Sequence, residues 1–207
     1  MLQRGKFIVL EGADGAGTTT QAELIRSTLE AQGVDARVTA QPSNGPIGVM
    51  LRSVLRGSVV RDNGRRIGGR AIAALFAADR SEHIESVIEP LLSTGVHVIC
   101  DRYYHSSFAY QGLEVGLDYV AAVNAPMKTP DLIMFVDVDV DVALQRRDSR
   151  ALAQELYEVE AIQSRLREAY HTAFKLRDFD RTVLIDGNGT VDLVHALVME
   201  QVNELLF

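Results

Sequence analysis

Five short, largely apolar runs, KFIVLE (6–11), DARVTA (35–40), VHVICD (96–101), LIMFVD (132–137) and RTVLID (181–186), are spaced along the chain with longer segments of helical period between them. Runs of this length suit buried strands. Strands that alternate with helices pair in parallel, because each return to the sheet needs a crossover. Helices are expected over 19–32, 46–56, 69–93, 117–124, 140–148, 157–176 and 190–205. In the segment 157–176, Val159, Ile162, Leu166, Tyr170 and Ala173 recur every three or four residues, which is the stripe of a helix facing a core. Gly33, Gly95 and DGNG (186–189) mark turns. Segments 57–66 and 147–156 break the period and read as surface excursions. The result is an α/β fold with a parallel sheet, whose ligands bind where loops leave the strands' C-terminal ends. Segments 12–19, 41–46, 101–111 and 138–150 all follow strands and should converge on one cleft.

At 207 residues and 47% hydrophobic, the chain can bury one core, so one domain over 1–207 is expected. The stretch MLQRGKFIVL lacks the form of a secretory signal, and runs such as AIAALFAA fall short of the ~20 residues of a membrane helix. A single cysteine, Cys100, fits a reducing cytoplasm and reads as a small buried hydrophobe. The five histidines have no metal-ligand spacing. A net charge of −7 argues against duplex nucleic acid as a partner, though not against small anions. Of 21 basic residues, only Lys6, Lys128 and Lys175 are lysine.

The first strand runs into GADGAGTTT (12–20). This is the layout of the phosphate-binding P-loop, G-x-x-x-x-G-K-[ST], with Gly12 and Gly17 in the glycine positions and Thr19 in the last. Thr18 stands where the lysine belongs. Gly12, Ala13, Asp14, Gly15, Ala16, Gly17, Thr18, Thr19 and Thr20 would cradle ATP phosphates with backbone N–H groups and a helix N-terminus, none of which needs a lysine. A glycine-rich turn without a ligand is the competing reading. No lysine is placed to substitute: Lys6 lies five residues upstream, about 16 Å away along a strand. Any replacement cation should be arginine.

A second string, DRYYHSSFAYQG (101–112), opens with an aspartate and an arginine at a strand end. Asp101 could hold Mg²⁺ or its waters, and Arg102 could fork onto phosphate; an ordinary ion pair is equally consistent with the two alone. Together with FIVLEGADGAGTTTQ, GPIGVMLR (45–52), LFAADR (75–80), PDLIMFVDV (130–138) and LYEVE (156–160), the chain resembles thymidylate kinases over nearly its whole length. The resemblance implies a P-loop NTPase of nucleoside monophosphate kinase type, with a five-stranded parallel sheet flanked by helices and a lid near 146–158. It implies transfer of phosphate from ATP to dTMP with Mg²⁺, and a homodimer formed through helices on one sheet face. Phe76 would stack on thymine and Arg80 would bond its carbonyl edge. Ser107 and Gln111 would line the base and sugar pocket, with Ser106 close behind and Tyr110 under the deoxyribose. Arg52 and Arg102 would hold the acceptor phosphate, and Pro42 would shape the loop around it. Thr19, Asp14 and Asp101 would serve the metal, directly or through water.

Three departures stand out, one being AQPSNG (40–45), where relatives often have an acidic residue, proline and glycines. Besides Thr18, Leu156 in ELYE occupies a position that is basic in many bacterial relatives. Arg146, Arg147 and Arg150 could restore the missing charge, or could be a solvated helix end. A catalytically silent nucleotide-binding protein, or a kinase for another pyrimidine monophosphate such as dUMP, are the alternatives to a dTMP kinase.

Overall fold

The computed structural model describes residues 3–146 and 153–207. Strands β1 (Phe7–Glu11), β2 (Ala36–Ala40), β3 (His97–Asp101), β4 (Leu132–Asp137) and β5 (Thr182–Asp186) form one parallel sheet in the order β2-β3-β1-β4-β5. Each strand lies within a residue or so of its expected position. The chain leaves β1 toward β3 and β2, then crosses back to β4 and β5, so β1 and β3 flank the point where strand order reverses. A crevice opens there.

Side-chain alternation along β1 sorts the two faces. Ile8 and Leu10 pack with Ile25 and Leu29 of α1 (Thr18–Ala31) and with Val194, Val198 and Val202 of α10 (Val191–Leu206). Phe7 and Val9 face the opposite side, toward Leu92 of α4 (Glu89–Ser93) and Tyr104 and Phe108 of α5 (Tyr104–Tyr110). Ala173 of α9 (Ala153–Leu176) packs there too. Each fully buried leucine or isoleucine contributes about 1.5–3 kcal/mol. The alternation also aims two carboxylates. Glu11 continues the Phe7–Val9 face, toward α5 and α9, while Asp101 continues that of Ile99, toward α1.

The remaining helices are α2 (Pro46–Leu55), α3 (Gly69–His83), α6 (Gly112–Val115), α7 (Leu117–Asn124) and α8 (Val140–Arg146). The expected helical stretch 69–93 is unbroken, running as α3, a π turn over Ile84–Ile88, and α4. Residues 104–115, expected only as a segment following a strand, form α5 and α6. Segment 61–66 is exposed, with an isolated antiparallel bridge between Val60 and Arg66. No helix among the described residues is long and apolar enough to cross a membrane.

Candidate active site

The turn after β1 is built by glycine. Gly15 and Gly17 have φ of 93° and 88°, a left-handed backbone that side chains disfavour. A Cβ on Gly15 would stand 2.7 Å from the Ala143 carbonyl oxygen, so α8 closes against the loop at a distance only glycine allows. α1 begins at once after Gly17, which turns its N-terminus toward the crevice. Thr18 is nearly buried. Its methyl lies 3.1 Å from where a Cβ on Gly12 would sit, so it packs against the loop. Thr20 is exposed on α1.

Pairing of β1 with β3 places Leu10 beside Asp101, and Thr19 donates its hydroxyl to Asp101 Oδ2. Asp101 Oδ1 is buried and has no partner among the described residues. A buried, orphaned carboxylate oxygen beside a hydroxyl fits a site completed by a cation, since Mg²⁺ commonly takes one or two protein oxygens and fills the rest with phosphate and water. Thr19 and Asp101 therefore fit the metal. No cluster of three or more His, Cys, Asp or Glu that could hold a metal alone exists among the described residues.

Arg102 sits in the next residue with φ of 69°, unusual for a side chain other than glycine. Its Nη2 donates to Asp14 Oδ1 at 2.7 Å, and its Nη1 lies 3.1 Å from Tyr170 Oη, 3.3 Å from Ser106 Oγ and 3.4 Å from Tyr110 Oη. The guanidinium also lies over the Tyr110 ring at 5.3 Å. Burial opposes its charge, but Tyr170, Tyr110, Asp14 and Glu11 around it prevail and raise its pKa. It stays cationic.

Across the cleft, Arg80 is fully buried, and burial lowers its pKa. Its Nε donates to Gln41 Oε1 at 2.9 Å, Nη1 to Asn124 Oδ1, and Nη2 to the Tyr103 carbonyl at 3.2 Å and Ser107 Oγ at 3.0 Å. A guanidinium has five N–H groups, so one on Nη1 remains for a ligand. Residues 41–43 are gripped by α3. Asp79 accepts from Ser43 N at 2.7 Å and Ser43 Oγ at 2.5 Å, and His83 bonds Thr39 Oγ1 at 2.7 Å and Gln41 Nε2 at 3.3 Å.

These groups surround a cavity of about 240 Å³ lined by Asp14, Gln41, Pro42, Leu55, Phe76, Arg80, Arg102, Tyr103, Ser106, Tyr110 and Gln111. The expected residues Asp14, Pro42, Phe76, Arg80, Arg102, Ser106, Tyr110 and Gln111 are thus brought together. Gln111 Oε1 is buried without a partner among the described residues. The two serines are reversed from expectation: Ser106 lines the cavity, while buried Ser107 lies behind the wall as a support of Arg80. Arg52 is also outside the lining: it donates to the Pro42 carbonyl at 2.7 Å and to Asn44 Oδ1 at 3.2 Å, at the rim of the 41–46 loop. A second cavity, about 260 Å³, lies against Gly15, Ala16, Gly17 and Thr20, with Arg146 on its wall donating to the Gly189 carbonyl at 2.8 Å. Arg147 and Arg150 lie outside the described residues. Lys6 pairs with Asp131 at 3.7 Å and Lys128 with Glu89 at 3.1 Å, both at the opposite end of the strands.

Sequence reasoning missed Glu11, Tyr170, Gln41, Asn124 and Asp79. For Glu11 a signal existed, a carboxylate closing an otherwise apolar strand. Tyr170 read as part of a core stripe, and nothing in the periodicity exposes what its hydroxyl touches.

A loop of this kind opening onto a strand-end aspartate, at the reversal point of a five-stranded parallel sheet, defines a P-loop protein of the nucleoside monophosphate kinase type. The family model for thymidylate kinase matches residues 10–198, and the chain belongs to that family. It is 37% identical over 208 residues to a protein of Pyrococcus horikoshii named "Probable thymidylate kinase", covering 98% of each chain. It is also 37% identical over 216 residues to a thymidylate kinase of Bradyrhizobium sp., covering 99% of this chain and 92% of the relative.

Proposed function

We propose that the protein transfers the γ-phosphoryl group of ATP to dTMP, giving dTDP and ADP. The observation that carries this reading is the cavity that Arg80, Phe76 and Tyr110 line together with Arg102 and the P-loop's Asp14, in a chain of the thymidylate kinase family. A base enters beside Phe76, where an aromatic face suits a π-system, and its carbonyl meets the remaining N–H of Arg80. Tyr110 walls the sugar. Arg102 meets the acceptor phosphate, and the phosphate oxygen needs no strong general base once it is aligned. Arg52 reaches that phosphate from the loop rim after releasing Pro42 or Asn44.

On the donor side, the amides of Gly12–Thr20 receive the phosphates, and the cavity beside Arg146 suits the nucleoside end of ATP. Thr19 and Asp101 would hold Mg²⁺, with Asp14 acting through water; bound there, the ion supplies positive charge to the phosphate oxygens. Arg102 and the lid arginines Arg146, Arg147 and Arg150 stand in for the missing lysine. Half-exposed Val49 and Met50 on α2 support a homodimer formed through that side of the molecule.

The test is ADP release by the purified protein with ATP, Mg²⁺ and a panel including dTMP, dUMP, UMP and dCMP. Preference for dTMP is expected. Turnover faster with dUMP would move the assignment to another pyrimidine monophosphate, and binding without any turnover would leave a silent nucleotide-binding protein.

A further inference from the structure

Glu11 ends β1 with its side chain fully buried, a placement a carboxylate tolerates only when its lone pairs are used. They are. Oε1 accepts from the backbone N–H groups of Tyr103 at 2.9 Å and Ser106 at 3.2 Å, and Oε2 accepts from Ser106 Oγ at 2.6 Å. Tyr170, carried in from α9, places its hydroxyl 2.8 Å from Ser106 Oγ, 3.2 Å from Glu11 Oε2 and 3.1 Å from the Gly12 carbonyl.

Each hydroxyl has one proton to give. Ser106 donates its proton to Glu11, and Tyr170 donates to Ser106, Glu11 or the Gly12 carbonyl. Both oxygens are left with only lone pairs toward the guanidinium of Arg102, whose Nη1 lies 3.3 Å and 3.1 Å away. The chain of donors runs in one direction, from a cation to a buried anion. That polarity strengthens every link in a low-dielectric interior. On the solvent side Arg102 has Asp14, which is itself half exposed, so the hydroxyls of part-buried Ser106 and buried Tyr170 are the rigid half of its support.

We propose that Glu11 and Tyr170 are positioning residues for Arg102: through Ser106 and the Tyr170 hydroxyl they hold its guanidinium in the orientation that meets the acceptor phosphate. The inference rests on the kinase reading above. It also ties α9 to the P-loop carbonyl of Gly12, so one hydroxyl joins donor and acceptor sides of the cleft.

The experiment compares dissociation constants for dTMP and thymidine, which differ only by the phosphate, in the wild type, Tyr170→Phe, Glu11→Gln and the double variant. Tyr170→Phe removes one oxygen atom. It should weaken dTMP about tenfold and leave thymidine unchanged, the scale of one hydrogen bond to a charged group. Glu11→Gln should do the same or more. The double variant should be within about threefold of the worse single one, because both act through the same guanidinium. An unchanged dTMP-to-thymidine ratio in Tyr170→Phe overturns the proposal, as does equal weakening of both ligands, which marks general loosening, or losses that multiply in the double variant. If Glu11→Gln does not fold, Tyr170→Phe decides alone. A wild type that binds thymidine as tightly as dTMP overturns the kinase reading itself, and this inference with it.

Discussion

Thr18 replaces an ammonium with a methyl and a hydroxyl on a nearly buried side chain whose methyl packs against the loop. Neither group carries a charge, so positive charge for the phosphates must come from elsewhere. Arg102 already stands at the loop, bonded to Asp14 at 2.7 Å. Arg102→Ala should lower turnover by ~10³-fold or more, the range for a cation acting on a transferring phosphoryl; near-normal steady-state rates in that variant would remove it from the mechanism. Thr18→Lys probes the same balance from the other side. With guanidinium groups supplying the charge, it should raise kcat by less than about tenfold, below the ~10- to 150-fold that one uncompensated hydrogen bond to a charged group commands. A gain of ~10³-fold would mean the charge had been missing. The roles of Phe76 and Arg80 lie open in the sequence only through the family string, because ALFAADR alone reads as ordinary helix.

Helix α3 and the loop after β2 form one unit, joined by Asp79, Arg80 and His83 on successive turns. The bond from Ser43 N to Asp79 is fully buried, so Asp79→Ala should destabilise the fold by about 2 kcal/mol, as a buried donor left unpaired does. The variant should also raise KM for dTMP, because Pro42 and Gln41 lose their anchor; chemical denaturation and steady-state kinetics read the two effects separately. For the lid, Arg146→Ala, Arg147→Ala and Arg150→Ala made singly should include at least one loss of turnover above about tenfold, the lower bound for one charged hydrogen bond. If none does, compensation by the lid fails. The strands were legible because alternation and apolar runs are local properties. Helices α5 and α6 were not, since YHSSFAY carries aromatics and hydroxyls in place of an apolar stripe, and burial by α9 and α7 decides its state. The π turn at Ile84–Ile88 was equally invisible, as its hydrogen-bond shift leaves no mark on composition.

For the molecule as a whole, acid should act through histidine before it reaches the carboxylates. Burial lowers the pKa of His83, His97 and His195 below the ordinary 6.5. Beside His83, Asp79 and Glu82 push the other way and Arg80 reinforces the shift. In the unfolded chain these groups take up protons near pH 6.5; in the fold they resist. Stability is therefore full above that pH and falls as pH drops through it toward the lowered folded values. Melting temperature should decline between about pH 7.5 and pH 5.5, and His83→Gln should flatten part of that decline; a flat wild-type profile would contradict neutral buried imidazoles. Gln41 adds a functional side to this, because its amide bonds both His83 and Arg80. What the chain settled alone was everything set by period and local backbone: five strands, most helices, the glycine turn, and an aspartate and arginine at the end of β3. Which buried atoms meet was decided only by tertiary structure. Glu11, Ser106, Tyr170 and Arg102 come from three separate stretches, and hydrogen bonds between such stretches depend on ångström-scale packing that no local pattern encodes.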